Sequence, residues 1–513
     1  MAAGRQRDAV AVTPEPDAVD APVADETDSA SAIRRRGATG AALLTVRAAA
    51  AQAVAFAGTL VLAHQLAPSE FGIVALGATI VTTGNFLADG GLGAALVRKS
   101  SAPTALELRT LLAVQLTVAS AMAIVIVLIG IQAGEAGDVT ALMAASLPLL
   151  ALRAPHAIAL ERALEYRPIA SIEFTESLTY YCWAIGTVFL GWGVWSLASA
   201  TVVRALAGSA LMTMASPLGF VTPQYERRSL RSMLAFGLGF QAVGIAAVAT
   251  AQGVNLVVAA AGGVQLLGYW SLANRLLQVP FWLFQALWRV SYPMMARLRA
   301  LGENTRPTIE RFAGITTIAT GAILAPLAAS AHDLVPALFG DRWAPAASPM
   351  PWAAAGLAIG GPISVAAAGY LYSESDVRTP LFATAVNGAV WVALTAVLIG
   401  PVGVAGVGVA WMCASWTESA VFTRALRRRA GVHLARYLVI PVAAGYAAFA
   451  VAYALARAFP ELVLGGVTTA CVALAAYLLL NYAFNRTALF DAARRGRALA
   501  GDLVPRMRRR AAA

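Results

Sequence analysis

Long apolar stretches follow one another along almost the whole chain and are separated by short polar gaps. A helix needs about 20 apolar residues to cross about 30 Å of hydrocarbon. The chain is therefore expected to be an all-α polytopic membrane protein. On this length criterion we predict about 14 membrane-spanning helices, at residues 39–66, 70–92, 106–132, 139–160, 168–191, 193–217, 230–261, 264–294, 309–330, 345–372, 379–399, 401–423, 435–457 and 462–483.

The gaps between the predicted spans alternate in charge. Basic residues gather in every second gap, at Arg98 and Lys99, Arg162 and Arg167, Arg227, Arg228 and Arg231, Arg297 and Arg299, Arg427 to Arg429, and Arg506 to Arg510. Loops rich in Lys and Arg stay on the cytoplasmic side of a membrane. With an even number of spans, both termini are expected in the cytoplasm. The longest outward gap, near residues 330–345, is too short for a folded catalytic domain.

Composition and span positions divide the chain into five parts. Residues 1–36 are rich in proline and acidic residues and poor in apolar ones, which is typical of a disordered tail. Residues 37–218 and 228–430 each hold six predicted spans, residues 431–484 hold two more, and residues 485–513 are basic. We therefore expect two six-helix lobes, two additional C-terminal helices and cytoplasmic tails.

A weak internal repeat relates the two six-span blocks. Residues 66–72 and 263–269 each make an outward turn and lead into an apolar helix, and their alignment superposes Gly72 on Gly268. Both blocks enter the membrane from the same side. Parallel repeats of this kind are typical of transporters whose halves are related by an axis along the membrane normal. A substrate path is therefore predicted between the blocks.

Composition narrows the possible partners. Hydrophobic residues make up 59% of the chain and charged residues 13%, whereas an average soluble protein has roughly 25% charged residues. The formal net charge of +11 does not indicate nucleic-acid binding, because the basic residues lie where anionic lipid headgroups attract them. Membrane lipids are the expected partners of this charge.

The sequence lacks the motifs of several enzyme classes. Its three cysteines lie inside apolar stretches with no partner nearby in sequence, so neither a disulfide framework nor a thiolate metal site is predicted. It contains no Walker motif, no HExxH motif and no nucleotide-binding glycine motif in the right context. We therefore predict a protein that is not an enzyme and uses no cofactor and no metal.

Charged residues inside the predicted spans are the candidate binding residues, because a charge within the bilayer is costly unless it faces a cavity or a partner. Arg204 and Arg275 lie roughly 16 Å from an outer helix end at about 1.5 Å per residue. Arg275 has no acid nearby on its own helix and is the strongest candidate for cargo contact. The candidate arginines are Arg47, Arg153, Arg204, Arg275 and Arg289, and the acids are Asp89, Glu173, Glu176 and Glu418.

Several guanidinium groups in a cavity that opens to the cytoplasm would attract an anion, and their planar shape suits phosphate. An anionic cargo is therefore predicted. A structural alternative stays open, in which Arg153 pairs with Glu173 or Glu176 and no cargo is involved. Asp89 and Arg289 lie close enough to helix ends to reach the membrane surface. Asp89, Glu173 and Glu176 are accordingly candidates for either a coupling or a structural role.

Uncharged polar residues add a further prediction. Amides concentrate in spans 1, 2, 7 and 8, which indicates that these helices line a wet cavity, although a single amide more often joins two helices. Tryptophans near the predicted outer helix ends are interpreted as interface anchors. The residues concerned include Gln52, Asn85, Asn255 and Gln278 among the amides, and Trp270 and Trp343 among the tryptophans.

Four segments carry a resemblance to a known family. They are LAPSEFG at 66–72, ADGGLGAALVR at 88–98, GYWSLANR at 268–275 and FGDRW at 339–343. In order and spacing they resemble bacterial polysaccharide flippases, the Wzx-type translocases of lipid-linked oligosaccharides in the multidrug/oligosaccharidyl-lipid/polysaccharide exporter superfamily. The resemblance extends from about residue 40 to about residue 430.

This resemblance implies two six-helix lobes around a central cationic cavity, with two extra helices as in some members. It also implies a protein of the bacterial plasma membrane that moves an undecaprenyl-pyrophosphate-linked oligosaccharide from the inner to the outer leaflet by alternating access. Glycosyltransferases and a polymerase of the same pathway would be partners. A drug/cation antiporter of the same superfamily would need acidic cavity residues, and a polysaccharide polymerase would need a large outward loop.

Overall fold

The structure is a computed structural model that describes residues 50–99, 101–458, 465–490 and 494. It describes the backbone but not the side chains of residues 235–243 and of several residues between 279 and 290, including Arg289. Every regular element in these ranges is helical. The all-α class predicted from the apolar pattern is therefore confirmed.

Helices occur at the positions of the first six predicted spans. Thr104 and Glu107 show how a start is fixed, since each side chain accepts a hydrogen bond from the other's backbone N–H. The predicted fourth span consists of three short helices, because Pro148 and Pro155 lack the N–H that would continue the helix. The helices are α1 (50–65), α2 (Pro68–Asp89), α3 (Leu92–Arg98), α4 (Ala105–Gly130), α5 (Gly134–Ala144), α6 (Ser146–Leu152), α7 (Ala154–Arg162), α8 (Tyr166–Phe189) and α9 (Trp195–Ala215).

The second part of the chain is also built from long helices. Gly263 separates the first two of them with a φ of 81°, a backbone conformation that favours glycine. The elements are α10 (Arg227–Val257), a π-helical turn (Val258–Gly262), α11 (Gly263–Ala300), α12 (Arg306–Phe339), a 3₁₀ helix (Asp341–Ala347), α13 (Met350–Ser373), α14 (Arg378–Val402), α15 (Val404–Ala430), α16 (Ala435–Ala458) and α17 (Gly466–Phe484).

In the described residues, 10 helical segments are long and apolar enough to cross a membrane. One of them, Gly244–Gln278, includes the end of α10 and the beginning of α11. Helices α8 and α15 are long enough but less apolar, and α1 begins at the edge of the described range. A multi-pass membrane protein is therefore confirmed, whereas the predicted number of about 14 spans stays a prediction.

Packing is extensive between helices of the same part of the chain. Helix α8 packs against α9, α4 against α5, α10 against α14, and α15 against both α13 and α14. Helices α16 and α17 pack against each other and against α12. The predicted additional pair of helices therefore docks on the second block, while the lobe boundaries at residues 218 and 228 stay a prediction.

The two blocks meet where α2 crosses α11. A Cβ atom added to Gly72 would lie 1.6 Å from the carbonyl oxygen of Val264, and one added to Gly268 would lie 1.8 Å from that of Pro68. Only glycine fits at such distances, because any side chain would overlap backbone atoms. The two glycines that the internal repeat superposes thus contact the same crossing, each from its own helix.

The 3₁₀ helix makes a second contact between the blocks, at the end of α1. Arg342 donates to the carbonyl oxygens of Ala63, at 2.7 Å, and of His64, and the indole N–H of Trp343 donates to Ala63 at 2.9 Å. Trp343 is fully buried and its ring packs edge-on against Phe71. The interpretation of Trp343 as a membrane-interface anchor is therefore wrong, because its indole binds a helix end of the other block.

The interpretation of Trp270 as a membrane-interface anchor is also wrong. Its ring is buried, its N–H donates to Asn255 at 3.1 Å, and it packs edge-on against Trp391 and Trp411. A buried indole is expected to find such an acceptor. This partner could not be predicted from the sequence, since Asn255 lies on α10 and Trp270 on α11.

Candidate functional site

Helices α1, α2, α6, α8, α9 and α11 surround a cavity of about 600 Å³. Its charged lining, among the described residues, consists of Arg153, Glu176, Arg204 and Arg275. Three of the five arginines predicted from the sequence therefore line one cavity. Its uncharged polar lining is formed by Gln52, Thr59, Thr82, Asn85, Ser146, Ser177, Tyr180, Tyr181, Thr201, Ser271 and Gln278.

Glu176 joins two of the arginines. Arg153 donates to one carboxylate oxygen at 2.7 Å, and the Nε of Arg204 lies 3.7 Å from the other. The Glu176 side chain is 3% exposed, whereas those of Arg153 and Arg204 are 33% and 49% exposed. The structural alternative for Arg153 is thus realised with Glu176, and the pair nevertheless faces the cavity.

The position of Arg153 follows from the broken helix. It lies between α6 and α7, two residues before Pro155, where the helical hydrogen bonding is interrupted. Arg204 lies within the continuous helix α9, and Glu176 lies within α8, which packs along α9. Three different elements therefore bring this cluster together.

Arg275 reaches the same cavity from α11. Its guanidinium donates to the hydroxyl of Thr59 at 2.8 Å on α1 and to that of Tyr181 at 3.4 Å on α8. No acidic side chain in the described ranges pairs with it. A guanidinium that holds only neutral acceptors keeps its full charge for an incoming anion.

Sequence reasoning missed the groups that orient Arg275. Thr59 and Tyr181 contact each other at 3.5 Å, and the ring of Tyr181 packs edge-on against Tyr180. A Cβ added to Gly58 would lie 2.1 Å from a Tyr181 ring atom, so the glycine makes room for this ring on α1. The adjacent tyrosines inside an apolar span were the only available signal.

The remaining predicted charges divide into two groups. Arg47 lies outside the described residues, as does the side chain of Arg289, so their binding roles stay predictions. Asp89 accepts hydrogen bonds from Gln115 at 2.9 Å and from two backbone N–H groups of the α2–α3 junction. Neither Asp89 nor Glu173 is among the lining residues of the cavity. A coupling role for these two acids also stays a prediction.

The amides behave in both of the ways anticipated. Gln52, Asn85 and Gln278 line the cavity. Asn255 instead joins helices, since it donates to Thr79 of α2 and accepts from Trp270 of α11. Three of the four helices predicted to line a wet cavity therefore contribute an amide to it.

A second cavity, of about 490 Å³, lies among helices α10, α11, α13, α14 and α15. Its described lining is mainly apolar and aromatic, with Trp391 and Trp411 stacked at 4.7 Å. It contains one carboxylate, that of Glu418, which accepts a hydrogen bond from Asn387 at 3.2 Å. Among the described lining residues, the ionisable groups of the first cavity are thus mainly guanidinium groups, and that of the second is a single carboxyl group.

Comparisons with known proteins agree with this architecture. Residues 61–348 match the family described as "Polysaccharide biosynthesis protein". The succinoglycan biosynthesis transport protein ExoT of Rhizobium meliloti (strain 1021) is 26% identical over 300 residues, which are 55% of this chain. The chain spans 58% of the length of that relative.

Solved structures show the same fold. The lipid II flippase MurJ, in an inward closed conformation, superposes with a TM-score of 0.65 at 14% identity, over 87% of this chain and 99% of that one. An inward-facing multidrug resistance MATE family transporter of the MOP superfamily gives 0.52 at 15% identity, over 76% and 98%. Because the family match covers more than half of the chain, this protein belongs to the polysaccharide biosynthesis protein family.

Proposed function

We propose that the protein is a flippase, which moves an undecaprenyl-pyrophosphate-linked oligosaccharide from the inner to the outer leaflet of the bacterial plasma membrane by alternating access. The observation that supports this most strongly is the cationic cavity between helices of both blocks. Its Arg275 forms no ion pair with an acidic side chain in the described part of the chain. The match to the polysaccharide biosynthesis protein family and the similarity to a succinoglycan biosynthesis transport protein support this proposal.

The charge of the cavity fits a diphosphate. Three guanidinium groups and one carboxylate among its described lining residues give a net charge of +2. A diphosphate esterified at both ends carries about two negative charges, and guanidinium groups bind its oxygens through parallel hydrogen bonds. The cargo's charge would thus be neutralised while it is removed from water.

The rest of the cargo divides between the cavity and lipid. The hydroxyl and amide groups of the lining can bind sugar hydroxyls, and a prenyl tail is soluble in the bilayer core. Relative movement of the two blocks would then open the cavity to one side at a time. With both termini in the cytoplasm, loading would occur from the inner side, where the glycosyltransferases of the pathway act, and a polymerase would use the product outside.

A drug/cation antiporter of the same superfamily is the second candidate. The specific observation in its favour is the aromatic cavity of the second block with its Glu418 carboxylate, since aromatic faces and a carboxylate attract organic cations. The first cavity argues against it, because its three arginines would repel such a cargo.

The test replaces Arg275 in a strain that depends on the plasmid-borne gene. We expect Arg275→Ala to reduce surface polysaccharide by about 100-fold or more, as for loss of a charge-assisted contact of roughly 3 kcal/mol. Lipid-linked units should accumulate inside, and the protein should remain in the membrane at normal abundance. Arg299→Ala is the matched control, because Arg299 lies on the same helix and pairs with Glu374 away from the cavity.

Normal export by the Arg275→Ala variant would contradict the proposed site. Polymer length separates the proposed activity from a polymerase, since loss of a polymerase still allows single units to be exported. Extrusion of organic cations, retained by Arg275→Ala and lost on Glu418→Gln, would favour the antiporter.

A further inference from the structure

The Glu176 carboxylate contacts two of the guanidinium groups that line the cationic cavity. It lies in the lining of the cationic cavity and contacts Arg153 and Arg204 at once. Both arginines keep a third to a half of their side chains exposed, whereas Glu176 is almost completely buried. The negative charge therefore lies behind the guanidinium groups, and the groups themselves remain accessible.

A glycine makes this position possible. Gly208 lies on α9 one turn after Arg204, and a Cβ added to it would lie 1.9 Å from a carboxylate oxygen of Glu176. Any other residue would push the carboxylate away from its present contacts. The absence of a side chain at Gly208 therefore leaves the space beside α9 that the carboxylate fills.

The three arginines are therefore unequal. Arg275 holds only hydroxyl groups, whereas Arg153 and Arg204 share one carboxylate. An arriving diphosphate therefore meets the Arg275 guanidinium, which has no anionic partner in the described residues, and the guanidinium groups of Arg153 and Arg204, which share the Glu176 carboxylate. Carboxylate and phosphate oxygens accept from the same N–H donors, so binding to the shared pair is a competition.

We infer that Glu176 is an internal substitute for the cargo's phosphate: it binds Arg153 and Arg204 in the empty transporter and is displaced when cargo binds. The inference rests on the proposed function. Ser177, Tyr180 and Thr201 line the same cavity, and their hydroxyl groups are available donors for the displaced carboxylate.

The exchange of Glu176 for the cargo's phosphate affects both the specificity of binding and the release of the cargo. While the cavity is empty, the shared carboxylate neutralises part of the cationic charge, so that small anions such as inorganic phosphate bind weakly. A cargo that also gains contacts through its sugar and prenyl parts can still displace the carboxylate. Release is made easier, because Glu176 returns to the arginines as the cargo leaves.

The experiment measures binding to the purified full-length protein in lipid nanodiscs. Farnesyl diphosphate is the anionic probe and farnesol its uncharged control. We expect Glu176→Gln to bind farnesyl diphosphate about tenfold more tightly than the unmodified protein does, since one competing charge has been removed. Farnesol affinity should not change. Glu374→Gln is the matched control, because it removes another arginine-paired carboxylate far from the cavity.

Gly208→Ala provides a second test that keeps every charge. Its methyl group should displace the Glu176 carboxylate and raise the affinity for farnesyl diphosphate in the same direction. If Glu176→Gln does not fold, the affinity of the Gly208→Ala variant for farnesyl diphosphate tests the role of Glu176. A purely supporting role for Glu176 predicts the opposite, since loosening a structural contact does not strengthen binding of an anion.

The outcomes separate this inference from the proposed function. Unchanged or weaker binding by both variants, together with weaker binding by Arg204→Ala and Arg275→Ala, would overturn the role of Glu176 and leave the flippase proposal intact. If the probe does not bind, or binds equally well when both arginines are replaced, the proposed function fails and this inference fails with it.

Discussion

At the scale of single residues, the cavity depends on neutral groups that orient a charged one. Arg275 donates to Thr59 and Tyr181, and both hydroxyls belong to helices of the first block. The guanidinium is therefore held in place without being neutralised. An acid in either position would hold it more firmly and would also compete with an anionic cargo.

We predict that Thr59→Val, which keeps the size of the side chain, weakens cargo binding about threefold to tenfold. The loss is smaller than for a fully buried bond to a charged group, because the Arg275 side chain is exposed to the cavity. Binding of farnesyl diphosphate measures it. Thr83→Val is the control, since its hydroxyl donates only within α2. Equal affinities for the two variants would show that Thr59 does not orient Arg275.

At the scale of helices, an acid outside the spans fixes the beginning of α14. Asp376 accepts from the backbone N–H groups of Arg378 at 3.0 Å and Thr379 at 3.2 Å, and it pairs with Arg429 of α15 at 2.6 Å. Burial disfavours its charged form, but the Thr379 hydrogen bonds and the charge of Arg429 outweigh burial and lower the pKa of Asp376. One loop carboxylate thus joins α14 and α15.

We predict that Asp376→Asn lowers the free energy of unfolding at pH 7 by about 1 kcal/mol. The substitution removes the ion pair with Arg429 and the negative charge at the beginning of α14, whereas the amide oxygen can still accept from the backbone N–H groups. A lowered pKa in the folded state stabilises the protein above the unfolded value of about 3.9, and this contribution disappears as pH falls below it. Thermal unfolding in detergent should therefore show a difference at pH 7 that shrinks toward pH 3. The exposed Asp138→Asn variant is the control. A difference that grows at low pH would contradict the assignment.

Helix-scale features were the most accessible to sequence reasoning. The positions of the spans follow from the length of each apolar stretch, and the turn at residue 263 follows from the glycine there. Both features can be read from short segments of sequence. The partners of Trp343 and Arg275 could not be predicted, because they depend on which helices meet across hundreds of residues of chain. A pairing of Arg153 with an acid of α8 was anticipated, but the choice of Glu176 depends on how α8 is rotated against α9.

At the scale of the whole molecule, the two blocks contact each other at the crossing of α2 and α11, where the backbones of the two helices touch. Gly72 and Gly268 leave no space there, and the opposing atoms are backbone oxygens that cannot move aside alone. A larger residue must therefore separate the helices. The position of these glycines near the predicted outer end of both helices makes the crossing a natural seal for the cavity.

We predict that Gly72→Ala increases the separation of spin labels at residue 69 of α2 and residue 265 of α11 by about 2 Å or more, since an added carbon atom packs no closer than about 3.5 Å to its neighbours. The native cysteines are first replaced, and pulsed electron paramagnetic resonance gives the distance. Gly186→Ala is the control, because an added Cβ there meets no atom within 4 Å. An unchanged distance in Gly72→Ala would mean that the crossing adjusts elsewhere.

The contact of the 3₁₀ helix with α1 adds a condition on any such separation. The last carbonyl groups of α1 accept from Arg342 and Trp343 of the other block. If the blocks move apart at this end, three hydrogen bonds break and the four polar groups that form them must be hydrated. Opening is then thermodynamically linked to the uptake of water molecules, so osmotic conditions outside the cell would bias how often this end of the protein opens.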